Sequence, residues 1–196
     1  MRIIGGAHRG RALARVGKGD VAAHLRPTSD RVRESLFNVL AGGYGDPAFG
    51  ARVLDIFAGT GALGIEALSR GAETASFIEN GRKALTLLHE NITRCGAGQV
   101  ARILAFDARK PGTNAQAPHD LVFLDPPYGK GLGEAALAAA LKGGWIAPGA
   151  LIVWEESAAI APPEGLRMIE ARRYGDTVIH FLERNQTGGS RNDTGS

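Results

Sequence analysis

The sequence predicts an α/β fold: a mostly parallel sheet with helices on both faces. Two observations carry this expectation. Between residues 52 and 154, short apolar runs of strand length alternate with segments whose apolar residues recur at helical spacing, and βαβα alternation of this kind builds a parallel sheet covered by helices. At the first strand-to-helix junction stands Gly59-Thr60-Gly61-Ala62-Leu63-Gly64. This G-x-G-x-x-G turn lets the backbone approach a ligand at the carboxyl edge of an open sheet.

Composition agrees with a single folded unit. The chain has 196 residues, 44% apolar and 22% charged, which suits one domain with a short appendage and is too apolar for a disordered chain. No apolar run approaches the roughly 20 residues of a membrane helix, and Met1-Arg2-Ile3-Ile4-Gly5-Gly6 lacks a signal-peptide core. Cys95 is the one cysteine, so no intramolecular disulfide forms, and His8, His24, His89, His119 and His180 show no metal-ligand spacing. A soluble, cytoplasmic monomer with no metal and no membrane contact is expected.

The elements follow in order. Residues 1–25 form a basic N-terminal extension, in which residues 2–4 and 11–14 read as a short β-hairpin around Gly5-Gly6 and Gly10. Pro27 disfavours helix before itself and Thr28 or Ser29 can cap one after it, so residues 29–41 read as a helix with Val32, Leu36, Phe37 and Leu40 on its apolar face. The main domain, residues 26–184, then alternates. Strands are expected at 52–57, 74–79, 100–106, 120–124 and 150–154, and helices at 62–70, 82–95 and 132–141, with Gly71 and Gly96 ending the first two. Residues 168–174 and 177–183 are two further strands joined at Gly175-Asp176, necessarily antiparallel to each other. The polar, Gly- and Ser-rich residues 185–196 read as a disordered tail.

The net charge of +3 is uneven. Residues 1–36 hold eight basic groups against three acidic, a balance of +5, and the remaining 160 residues hold 15 against 17, a balance of −2. A basic arm on a mildly acidic body suggests a polyanionic partner, although eight charges over 36 residues also suit an ordinary solvated surface. Arginine outnumbers lysine 18 to 5. GC-rich codon usage accounts for that, and so does phosphate recognition by the planar guanidinium.

The glycine turn narrows the ligand. Glu79 ends the second strand, 20 residues after Gly59, where dinucleotide folds place a ribose-hydroxyl acceptor. Asp55, four residues before Gly59, argues against a dinucleotide, because a carboxylate there repels the pyrophosphate that a helix N-terminus would hold. S-adenosylmethionine carries an ammonium and a sulfonium and no phosphate, so Asp55 suits it; the bland alternative is that Asp55 caps a turn. Asp107 ends the third strand and either accepts a bond from an adenine amine or caps its own turn. Cys95 lacks a partner base, and Trp145, Trp154 and His180 read as packing residues.

Strand four ends in Asp125-Pro126-Pro127-Tyr128. Two prolines stop the ladder and stiffen the turn, presenting Asp125 and the Pro126 carbonyl to the cleft. Such a pair of acceptors serves methylation of a conjugated amino nitrogen: bonding both N–H groups draws the lone pair out of conjugation, while Tyr128 stacks on the ring. Stacking and positioned hydrogen bonds are how enzymes hold an extruded base. The alternative is a rigid turn with a capping Asp.

The run Asp55-Ile56-Phe57-Ala58-Gly59-Thr60-Gly61, Glu79, Asp107 and Asp125-Pro126-Pro127-Tyr128 resembles class I S-adenosylmethionine-dependent amino methyltransferases, whose fold is Rossmann-like. Arg26-Pro27-Thr28-Ser29-Asp30-Arg31-Val32-Arg33-Glu34-Ser35-Leu36-Phe37-Asn38, with Arg2-Ile3-Ile4-Gly5-Gly6 and Arg9-Gly10-Arg11, is similar to the bacterial 16S ribosomal RNA guanine-N2 methyltransferase family, type D. The similarity spans residues 1–184. It implies a seven-stranded sheet and methylation of a guanine amine in the assembled or assembling small ribosomal subunit. On this reading Asp125, Pro126 and Tyr128 handle the amine and its base. Asp55, Phe57, Ala58, Gly59, Gly61, Glu79, Asn80, Asp107, Ala108 and Thr28 hold the cofactor, and Arg9, Arg11, Arg26 and Arg31 meet RNA phosphates. The rivals are a DNA adenine-N6 or protein glutamine-N5 methyltransferase, and a catalytically silent RNA-binding module.

Overall fold

The computed structural model describes residues 1–15 and 30–186. Its strands are β1 (Arg52–Ile56), β2 (Thr74–Ile78), β3 (Ala101–Leu104), β4 (His119–Leu124), β5 (Ile146–Glu156), β6 (Leu166–Tyr174) and β7 (Thr177–Arg184). They form one seven-stranded sheet in the order β3-β2-β1-β4-β5-β7-β6. Strands β1 to β5 are mutually parallel, and β7 lies antiparallel between β5 and β6. The helices among the described residues are α1 (Asp30–Gly43), α2 (Ala62–Ser69), α3 (Arg82–Arg94) and α4 (Leu132–Lys142).

Strand alternation divides the core into two layers. Val53, Phe77, Phe123 and Phe181 pack with Leu36, Phe37 and Leu40 of α1, Ile65 of α2 and Leu88 of α3. Leu54, Ile78, Val122, Ile152 and Leu182 pack with Ala136, Leu137 and Ala140 of α4. Every second residue of a buried strand faces the same layer, so the near-continuous apolar runs are what a sheet covered on both sides requires. Trp145, Trp154 and His180 are buried, as packing residues should be.

Element boundaries differ from the expected ones where local chemistry intervenes. Strand β5 begins at Ile146 rather than 150: Ile146 pairs with His119, the register then shifts, and pairing resumes at Leu121–Leu151. Pro148 and Gly149 (φ +76°) sit in that irregularity and hide the strand start in sequence. Helix α1 continues through Gly42-Gly43.

The N-terminal segment doubles back on itself, with Ile3 N–H donating to Arg11 (3.0 Å) and Gly10 N–H to Ile3 (2.8 Å). It does not form the two expected strands; its one bridge joins Arg2 and Ala12, and Gly6–His8 is a single 3-10 turn. The reason lies in a competing acceptor. The N–H of Gly5, which would extend the ladder, donates to the Glu66 carboxylate of α2 at 2.8 Å, as does the N–H of Ile4. Arg26, Thr28, the first residue of the expected helix (Ser29) and the tail from residue 187 lie outside the described residues.

Candidate active site

Sheet register alone assembles the site. Leu104, Ile78, Ile56, Leu124 and Trp154 form one row across β3-β2-β1-β4-β5. One residue further toward the carboxyl edge stand Glu79, Phe57, Asp125 and Glu155. Three carboxylates thus share a level at the point where strand order reverses, between β1 and its two neighbours, which is where open α/β sheets bind ligands. Glu155 was not among the expected site residues; its strand ends in Glu155-Glu156, and only the β4–β5 register shows that the first of the two stands beside Asp125.

The glycine turn leads from β1 into α2 through unusual backbone. Phe57 (φ +61°), Gly59 (φ +57°) and Gly61 (φ +78°) are all left-handed, a conformation cheap only for glycine. A Cβ on Gly61 would lie 2.4 Å from Leu88 Cδ1, and one on Gly64 would lie 2.4 Å from the Phe77 ring, so the turn stays thin because neighbouring side chains already occupy its lower side. Asp55 lies beneath it, 2% exposed, and accepts the Gly64 N–H at 2.9 Å. Burial pushes its carboxyl up to about 8, against the opposing pull of that hydrogen bond. Glu79 braces the other side: one oxygen accepts Gly59 N–H at 2.8 Å, the other accepts Asn80 and Gly81 N–H at 2.9 and 2.6 Å. Ala58 is buried, and Asn80 is exposed at the rim.

Asp107 lies three residues past the end of β3, beside the buried Ala108. Its carboxylate is held by Arg109, which donates its backbone N–H (2.9 Å) and a fork of side-chain bonds (Nη2 at 2.6 Å). The Arg109 hydrogen bonds depress the Asp107 carboxyl to about 2. Asp107 is thus fixed as an acceptor by a residue that the sequence reading passed over.

At the end of β4, Asp125 N–H reaches back to Ile56 O at 3.4 Å, tying the turn to β1. Pro126 is buried and Tyr128 half-buried. The Tyr128 hydroxyl donates to Glu155 Oε1 at 2.7 Å and lies 3.3 Å from Thr177 Oγ1. The ring is therefore held at its far end by β5 and β7. Burial, and then the Glu155 carboxylate, raise the phenol well above its usual range. Among the described residues no His, Cys, Asp or Glu cluster could hold a metal ion.

The basic extension is clamped along α2 and α3. Glu66 is fully buried, accepts Ile4 and Gly5 N–H, pairs with Arg70 at 2.9 Å and faces Arg33 Nε at 3.7 Å. Arg33 is also fully buried; it bonds Asp30 and the Arg2 carbonyl, so it is a structural member of the basic segment. Arg9, Arg11 and Arg31 are exposed, with Arg11 Nη1 donating to the Arg94 carbonyl at 2.5 Å. An arginine on an apolar helix face, with a glutamate inside an apolar helix, was the available signal for the Arg33–Glu66 pair, since buried charges need partners.

A family model described as conserved hypothetical protein 95 matches residues 1–183. Ribosomal RNA small subunit methyltransferase D of Escherichia coli K12 is 38% identical over 196 residues, which cover 98% of this chain and 94% of the relative. The chain belongs to the methyltransferase D family. Another member, the Haemophilus influenzae protein of the same name, is 36% identical over 182 residues, 89% of each chain. Among solved structures, an Escherichia coli protein named as a methyltransferase superposes with a TM-score of 0.78 at 38% identity, covering 95% of this chain and 98% of that one. The class I methyltransferase fold expected from the sequence is therefore the fold observed, shared with that Escherichia coli protein.

Proposed function

We propose that the protein transfers a methyl group from S-adenosylmethionine to the exocyclic N2 of a guanine in small-subunit 16S ribosomal RNA. The carrying observation is the register row that sets the Asp125-Pro126-Pro127-Tyr128 turn beside Phe57 and Glu79, in a chain whose family relatives are named ribosomal RNA small subunit methyltransferase D.

The residues fit the cofactor. A buried carboxyl, Asp55, underlies the glycine turn with one oxygen on Gly64 N–H, and it suits an ammonium reached directly or through water. Glu79 suits ribose hydroxyls, and Asp107, kept ionised by Arg109, suits the adenine amine. Phe57, Ala58, Gly59, Gly61, Asn80 and Ala108 complete the pocket, with Thr28 assigned to it by the family motif. Bound there, S-adenosylmethionine supplies an electrophilic methyl group on its sulfonium.

The chain's own residues prepare the amine. Asp125 accepts one N–H of the guanine amino group and the Pro126 carbonyl accepts the other, which aims the nitrogen lone pair. Tyr128, its hydroxyl tethered to Glu155 and Thr177, stacks on the base. Alkylation makes the nitrogen strongly acidic, so its proton leaves to Asp125 or to water and no strong base is required. Arg9, Arg11, Arg26 and Arg31 bind phosphates of the subunit's RNA.

The test is incubation with labelled S-adenosylmethionine and small subunits lacking the modification, followed by mass spectrometry of digested RNA. N2-methylguanosine in 16S RNA is expected; label in DNA or in a protein glutamine, or no transfer at all, overturns the reading. Asp125→Ala should cut turnover by roughly a hundredfold or more, the scale of losing an oriented hydrogen-bonding group in the transition state, while calorimetry shows cofactor binding retained.

A further inference from the structure

Asn91 of α3 is fully buried, and both polar atoms of its side chain bond to chain segments far apart in sequence. Its Nδ2 donates to the Thr60 carbonyl inside the glycine turn at 2.9 Å and to the Ala14 carbonyl at 3.2 Å. Its Oδ1 accepts the Ala14 N–H at 2.7 Å. The same two segments touch a second time, where the Thr60 hydroxyl lies 3.9 Å from the Met1 sulfur. Thr60 itself is buried, between the left-handed Gly59 and Gly61. One amide therefore joins the turn that faces the cofactor to the basic segment that carries Arg9 and Arg11.

We propose that Asn91 is a positioning residue that couples cofactor binding to RNA binding, an inference that rests on the methyltransferase reading above. The Thr60 carbonyl and both backbone groups of Ala14 are satisfied by one rigid side chain, so a shift of the glycine turn on loading moves the shared amide, and with it the anchor point of the N-terminal segment. Coupling of this kind is reciprocal: a cofactor that orders the turn favours the arm position that binds RNA, and bound RNA favours the cofactor by the same factor. Neither Asn91 nor Ala14 needs to touch either ligand.

The experiment measures small-subunit affinity of the full-length protein with and without saturating S-adenosylhomocysteine, which loads the site without turnover. In the unsubstituted protein the loaded form should bind subunits roughly fivefold or more tightly, the lower range of measured couplings. In Asn91→Ala that ratio should fall towards one, whatever happens to the separate affinities. A residue that only supports the fold would lower melting temperature and affinity and leave the ratio intact. If Asn91→Ala does not fold, Ala14→Pro removes the N–H given to Asn91 from the arm side without altering α3, and the same loss of ratio is expected. A ratio of one in the unsubstituted protein, or a full ratio in a folded variant, overturns the coupling. Failure of S-adenosylhomocysteine to bind at all overturns the methyltransferase reading instead, so the two failures are distinct.

Discussion

Asp55 ties the stability of the fold to pH through a single residue. Its carboxyl lies beneath the glycine turn, and burial raises it from 3.8 to about 8. Between those values the folded protein keeps a proton that the unfolded chain releases. Stability attributable to this group is thus fully present below about pH 4 and is lost as pH rises towards about 8. Asp55→Asn cannot ionise, so its urea midpoint should fall less steeply with pH across that window than the unsubstituted protein's. Parallel slopes in chemical denaturation at pH 5, 6, 7 and 8 would show that Asp55 titrates normally. On the proposed reading the same substitution should weaken S-adenosylmethionine binding, because an ammonium that would draw the proton off the Asp55 carboxyl meets a neutral amide instead.

At the scale of elements, the N-terminal segment and helices α1 and α2 meet at the buried Arg33–Glu66 pair. Glu66→Gln would remove one of the two carboxylates around the buried Arg33 guanidinium and leave the Asp30 pair at 2.9 Å, so it should cost about 1–3 kcal/mol rather than the full penalty of an uncompensated buried charge. It would also weaken the anchoring of Ile4 and Gly5. A matching fall in unfolding free energy is expected, with loosening of residues 1–15 visible as faster amide exchange at Ile4 and Gly5; a loss below 1 kcal/mol with slow exchange would show that the segment is held by packing alone. This junction also marks the limit of sequence reading. The strands and helices of the sheet were legible because their apolar periods and glycine stops are local. Glu79 and Asp125 could be placed at one edge because each directly follows a strand, and strand ends share that edge; Asp55 lies inside β1, one residue before its end. The loss of the expected N-terminal ladder was not legible, since the Gly5 donor is taken by Glu66, more than 60 residues away. Glu155 escaped for a related reason: register, which sequence does not specify, decides that it stands beside Asp125.

Across the whole molecule, the charge asymmetry becomes a division of surface. Arg2, Arg9, Arg11, Arg15 and Arg31 are exposed on the N-terminal segment and α1, while Arg33 is drawn inside to Glu66. The acidic groups Glu79, Asp107, Asp125 and Glu155 belong to the carboxyl edge of the sheet. On the proposed reading, an RNA strand approaching the Asp125–Tyr128 turn meets carboxylates that favour no phosphate, so holding its backbone falls to the exposed arginines of the N-terminal segment. Each phosphate contact releases condensed counterions, giving a slope of about −0.7 in log affinity against log salt for a single strand and about −0.9 for a duplex. Arg9→Glu with Arg11→Glu removes two such contacts. The double variant should therefore raise the KM for small subunits at low salt and flatten the salt slope by roughly 1.4 to 1.8, with kcat and cofactor affinity little changed because neither side chain reaches the glycine turn. Titrations from 50 to 300 mM salt would read this directly. An unchanged KM and slope would show that the arginine excess of this segment is surface composition and that the phosphates are gripped elsewhere.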